Sequence, residues 1–97
     1  MEIAKMLVLS TAHIKEETSL LLEREPNENR LGLSVYEKAE FGFWIYVPEN
    51  LQEHFLDKEH LPADLWQCLE LAHKNDCRWL CLDCDGPVEE ELETYEW

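Results

Sequence analysis

The chain moves between short apolar runs, period-two alternation and helical spacing, and these changes predict its elements. Residues 5–10, KMLVLS, are apolar and β-leaning and predict a buried strand. From Ile14 the spacing turns helical: Ile14, Thr18, Leu21 and Leu22 share one face, while Lys15, Glu16 and Glu23 point away from it. Ser10 or Thr11, or His13 with Glu16, can cap that helix. Glu25-Pro26 should end it, because the residue before a proline resists helical geometry, and PNENR reads as a polar turn. Leu31, Leu33 and Val35 then alternate with Gly32, Ser34 and Tyr36, and Phe41, Phe43, Ile45 and Val47 with Gly42, Trp44 and Tyr46. Joined by EKAE, these segments predict a hairpin with a loop of four residues or slightly more, closed by Pro48. Trp44 and Tyr46 share its second face, so neither face is plainly polar.

Within 49–60, Leu51, His54 and Phe55 are spaced for a turn or two of amphipathic helix. The clearest helix follows. Pro62 suits its first position, Asp64 its first turn, and Leu65, Cys68, Leu69 and Ala72 form the stripe to be buried. Asn75-Asp76 should stop it, Cys77 to Asp83 make the last strand, and 87–97 form an acidic tail. The order β-α-β-β-α-β is that of a ferredoxin-like two-layer α+β sandwich. It predicts a four-stranded, mainly antiparallel sheet with two helices on one face, and residues 1–97 as a single domain.

Charge changes the picture more than length does. The chain carries 22 acidic against 8 basic residues, a net charge of −14, and the imbalance is steepest in the last third. Such a balance argues against direct contact with DNA or RNA, whose binders need a basic footprint. It suits a basic protein surface; the plainer alternative is that the charge only keeps the protein soluble. No stretch approaches the ~20 apolar residues of a membrane span. The N-terminus lacks a signal-peptide pattern, which predicts a cytoplasmic protein. Its four cysteines should then be thiols or metal ligands rather than disulfides.

The sharpest local motif is WLCLDCDGPV, residues 79–88. An apolar strand followed by Asp-x-Asp-Gly resembles the first motif of haloacid-dehalogenase-type phosphatases. That resemblance implies Asp83 as nucleophile and Asp85 as general acid, both helping to hold magnesium. The context opposes it, since that family opens its sheet with the motif and places its lysine and remaining metal ligands far downstream. The preferred reading is a core strand ending in a turn. Cys77, Cys81 and Cys84, with His73 or Cys68, form a second constellation, because zinc takes four such ligands in a tetrahedron. Cys68, however, lies on the stripe to be buried, and Cys77 and Cys81 share a strand face that Cys84 does not. Buried cysteines as small apolar residues are the expectation. Ser10, Thr11 and His13 lack an orienting third group and an oxyanion site, so His13 should cap or pack. No catalytic residue and no cofactor is expected.

What remains is the acidic surface. Asp83, Asp85, Glu89, Glu90, Glu91, Glu93 and Glu96 fall together with no basic residue among them. Duplex DNA carries one charge per about 1.7 Å of axis, so a folded row of carboxylates can compete for a nucleic-acid-binding cleft. Glu37, Glu40, Glu49 and Glu53 form a second candidate patch near the hairpin. Tyr95 and Trp97, which end the tail, are expected to dock back onto the fold rather than serve a partner.

The segments MLVLSTAHI, GFWIYVP, LPADLWQCLELAH and LDCDGP with the terminal YEW are similar to a family of short bacterial proteins of unknown function, encoded on plasmids, integrated elements and phages. The resemblance implies a single cytosolic domain in a mobile-element setting and brings no activity or site residue. Together these readings predict a non-enzymatic acidic module that binds a basic protein surface, in the manner of a nucleic-acid mimic acting on a host DNA- or RNA-handling protein. The alternative is a small zinc-binding domain built on the C-terminal cysteines.

Overall fold

The computed structural model describes residues 1–55 and 61–97. Strand β1 (Met6–Ser10) leads through a 3-10 turn (Thr11–His13) into helix α1 (Glu16–Glu28), followed by strands β2 (Val35–Lys38) and β3 (Gly42–Tyr46). A short helix α2 (Leu51–His54), helix α3 (Ala63–Lys74) and strand β4 (Trp79–Asp83) complete the chain's elements. The second half of the turn expected within 49–60 lies outside the described residues.

The four strands form one mixed sheet in the order β1-β4-β3-β2. Strands β1 and β4 run parallel, with Val8 opposite Cys81, while β3 is antiparallel to both β4 and β2. This corrects the ferredoxin-like expectation. The elements come in the predicted order, but β4 takes an inner position and β1 becomes an edge. The α+β class holds. Periodicity finds strands and their faces; it does not say which strands become neighbours. The one local hint is that WLCLD is apolar on both of its faces, as suits an inner strand.

One sheet face carries Leu9, Leu80, Leu82, Phe43, Ile45 and Val35, and the helices cover it. These residues form a single core cluster with Leu22 of α1 and with Leu65, Cys68, Leu69 and Ala72 of α3, the predicted stripe. The opposite face carries Met6, Val8, Tyr36, Trp44, Tyr46, Trp79 and Cys81. Tyr36 there is 56% exposed and Val8 40%. Trp79 stacks at an angle with Tyr36 and meets Tyr46 edge-on.

Two buried carboxylates hold the helices. Helix α1 begins without a side-chain cap of its own. Asp64, 5% exposed on the first turn of α3, supplies one, accepting the Lys15 N–H at 2.7 Å and the Thr18 hydroxyl at 2.8 Å. At the other end α1 continues past Glu25-Pro26 to Glu28, against the expected stop. The reason is tertiary. Glu25 is 2% exposed and its two oxygens accept the N–H groups of Leu31 and Leu33 at 2.8 and 2.9 Å. Those bonds fix the last turn against the following loop and override the local bias. The hairpin turn is shorter than expected, because Glu37 and Lys38 pair within β2 opposite Phe43 and Gly42. Gly42 is required there: a Cβ would lie 1.7 Å from the Leu82 carbonyl oxygen.

Candidate partner-binding surface

After β4 the chain turns back over the end of β1. Asp83 shapes that turn: its Oδ1 accepts the Asp85 N–H at 2.8 Å, and its Oδ2 takes the Lys38 ammonium at 2.6 Å. These two partners hold the Asp83 carboxyl below the usual aspartate range, the lysine hydrogen bond contributing most, and Asp83 in return raises Lys38. Gly86 then passes so close to β1 that a Cβ would lie 2.7 Å from the Leu9 carbonyl oxygen, and the Pro87 carbonyl accepts the Ser10 N–H at 2.8 Å.

His13 grips the next stretch. It is 2% exposed, and both ring nitrogens are used: Nε2 accepts the Glu89 N–H at 2.9 Å, and Nδ1 meets the Glu93 carbonyl at 2.8 Å. A backbone N–H can only donate, so Nε2 carries no proton and Nδ1 carries one, the neutral imidazole with a set tautomer. The Tyr95 N–H then donates to the Ala12 carbonyl at 2.7 Å, and the Trp97 indole N–H to the Ile14 carbonyl at 2.9 Å. The docking expected for the aromatic terminus is present. Its main anchor, His13, was read from the sequence only as a cap or packing residue. Nothing local distinguishes it, since its partners lie far along the chain.

This anchoring sorts the predicted acidic residues. Asp85, Glu90, Glu91, Glu93 and Glu96 are exposed, Glu89 is partly covered, and Asp83 is tied to Lys38. Glu93 also accepts the Tyr95 hydroxyl at 3.1 Å. Burial, then that contact, raises the Tyr95 phenol above its usual range. Apart from Asp83, none of the seven forms an ion pair among the described residues.

The second predicted patch divides. Glu49 pairs with Arg78 at 3.3 Å, and it borders with Glu53 a groove beyond the Tyr46 end of β3. Glu37 and Glu40 lie at the Gly42 end, where Glu23 of α1, absent from the predicted patch, joins them. Together with Phe41, Tyr95 and Trp97 they border a cleft of about 460 Å³. The tail's aromatics thus share one cleft with the hairpin's carboxylates.

The cysteine constellation does not converge. Among the described residues the one group of three potential ligands within reach of a common ion is Asp83, Cys84 and Asp85, and Lys38 already occupies Asp83. Cys68 is sealed in the core, where burial and then nearby Asp64 push its thiol up to about 12. Cys81 is raised in the same direction, chiefly by burial. Cys77 points to the Asn75 carbonyl and His73 to that of Glu49. All four cysteines are free thiols. WLCLDCDGPV forms an inner strand ending in an aspartate turn.

The model of the family described as "Family of unknown function (DUF5983) C-terminal domain" matches residues 6–97. The chain belongs to that family. No curated protein and no solved structure matches it. The match covers all of the elements described above, including the docked tail. No described helix is long and apolar enough to cross a membrane.

Proposed function

We propose that this DUF5983 domain is a non-enzymatic binding module whose docked acidic tail engages a basic protein surface. One observation carries the reading. The tail is pinned through its backbone, by Ser10, Ala12 and His13, so that its carboxylates project from a held main chain and have no ion-pair partner among the described residues. A fixed row of unpaired charge loses less freedom on binding than a frayed one. It also steers a positively charged partner from a distance. A protein that handles DNA or RNA offers such a surface, and in a mobile-element setting the module would act there as a mimic of the phosphate backbone. Four free thiols are in keeping with a reducing cytoplasm.

Three of the side chains singled out for catalysis, Asp83, His13 and Ser10, have structural partners, which supports a non-enzymatic reading. Both Asp83 oxygens and both His13 nitrogens hold the tail and its turn in place, and the Ser10 hydroxyl oxygen accepts the Ala12 N–H to cap the 3-10 turn. Against the zinc alternative, Cys77 and His73 point to separate backbone carbonyls and Cys68 is sealed in the core.

The test is capture from host lysate with wild type and with Glu90→Lys, Glu91→Lys and Glu96→Lys combined. These three are exposed and outside the anchoring bonds. A nucleic-acid-binding protein held at about 0.1 M salt, released near 0.5 M, and absent with the triple variant is the expected result, since exposed charge contacts are screened. Retention that ignores both salt and charge reversal would sink the reading.

A further inference from the structure

The cleft between the hairpin turn and the docked tail has a chemistry of its own. Three carboxylates border it, Glu23 from α1, Glu37 from β2 and Glu40 from the turn, and no basic side chain does. None of the three has an ion-pair partner among the described residues. The rings of Phe41, Tyr95 and Trp97 supply the rest of its character, and Trp97 is held in place by its indole hydrogen bond although it is 57% exposed. The volume, about 460 Å³, lies inside the range of ligand-holding clefts, roughly 300–1,000 Å³.

Two of these rings also lie near ammonium groups of the chain itself. Lys15 Nζ sits 5.5 Å from the Tyr95 ring centre, and Lys38 Nζ 5.9 Å from that of Phe41. Neither lysine lines the cleft, and Lys38 is held by Asp83 at 2.6 Å and lies equally near Trp44. Among the described residues the Trp97 ring has no cation of its own, which leaves it to stack an incoming one. Carboxylates beside ring faces select an organic cation over a bare metal ion. Among protein side chains they favour arginine, whose planar guanidinium stacks on a ring while its edge donates to carboxylate oxygens.

We propose that this cleft is an anchor pocket for one arginine side chain of the basic partner. The inference rests on the reading of the domain as a binder of basic surfaces, and adds the group that is recognised and the place where it is held. The tail then serves both roles: its carboxylates face outward for long-range attraction, and its terminal aromatics build the pocket.

The experiment is a titration of the full chain with N-acetyl-arginine amide, followed by the Trp97 indole N–H and the backbone amides by NMR. The same titration with the citrulline analogue, equal in shape but uncharged, is the control. Saturable shifts centred on Trp97 and residues 40–43, with millimolar affinity, are expected. The citrulline analogue and the Glu23→Gln, Glu37→Gln, Glu40→Gln triple variant should each weaken binding by about tenfold or more, as loss of a charge-assisted contact of roughly 1.5–3 kcal/mol implies. Glutamine keeps shape and hydrogen bonding at exposed positions, so the triple variant folds, and its unchanged free Trp97 resonance verifies this. Shifts spread along Glu90 to Glu96 in place of the cleft would overturn the pocket and leave the acidic-tail reading standing. Citrulline binding equal to arginine would overturn it too. If arginine binds the cleft while the charge-reversed tail captures its partner as well as wild type, the pocket stands and the tail reading fails.

Discussion

Glu25 and Glu90 are the same residue type, in a chain with net charge −14, and the fold uses them in opposite ways. Glu25 is buried, with an N–H donor for each oxygen; Glu90 is exposed and has no ion-pair partner among the described residues. Asp64 belongs with the first, and Glu91 and Glu96 with the second. Inside, a carboxylate is a double acceptor that closes a helix end. Outside, it is a charge, and its effect on folding is mild repulsion. Net charge alone therefore says little about what any one acidic residue does. The comparison can be broken from either side.

The largest effect belongs to Glu25→Ala. It leaves two buried N–H groups without acceptors and removes the anchor for a proline-containing last turn. The expected loss is about 3 kcal/mol, read as a lower urea midpoint at unchanged slope. A loss below about 1 kcal/mol would mean that water or another group satisfies Leu31 and Leu33. The buried half of the comparison would then be wrong.

His13→Ala comes next, with about 2 kcal/mol expected from one lost acceptor and one lost donor in a buried site. The informative readout is local. Amide exchange at Glu89 and Tyr95 should quicken by far more than exchange in β4, because the tail undocks before the sheet opens. Uniform acceleration everywhere would show that the tail is part of the core rather than a strap fastened to it.

Much of this molecule could be read from its sequence, and the parts that could not share a cause. The α3 stripe, the two hairpin strands and the existence of the last strand follow from spacing between near neighbours, and the docking of the terminus from the aromatic residues that end it. The strand order, the continuation of α1 through Pro26, the His13 clasp and the gathering of Glu23 with Glu37 and Glu40 depend on residues brought together from distant segments. Leu31 and Leu33 as partners of Glu25 leave no mark on the residues around Glu25. The acidic tail was recognised as a candidate surface from composition; what holds it in position was not.

Asp83 lies between the two classes, half-buried and paired with Lys38, and its expected effect is smaller than either above. Its carboxyl is held below the usual range, so its contribution is complete above the unfolded aspartate pKa of about 3.9 and is lost as pH falls through the lower folded value. Wild type should therefore exceed Asp83→Asn in stability by a constant margin from about pH 5 to neutrality, with the two curves converging in acid. Parallel curves down to low pH would show that the margin does not come from the ionised carboxylate, and that neither Lys38 nor the Asp85 N–H favours its charged form.

The smallest effect, and the one whose sign matters most, concerns the exposed set. Replacing Glu90, Glu91 and Glu96 by glutamine removes three negative charges from a self-repelling molecule and breaks no bond that holds the tail. Surface changes of this kind fall within about 0.5 kcal/mol. Here the shift should be toward greater stability at low ionic strength and should vanish at high salt, where repulsion is screened. Urea unfolding at the two salt concentrations measures it. A destabilisation that persists in salt would place these glutamates among the structural carboxylates and remove the argument that their charge is free for a partner. A gain that salt erases would show that they cost the fold a little, which is expected of charge that serves binding or solubility rather than folding.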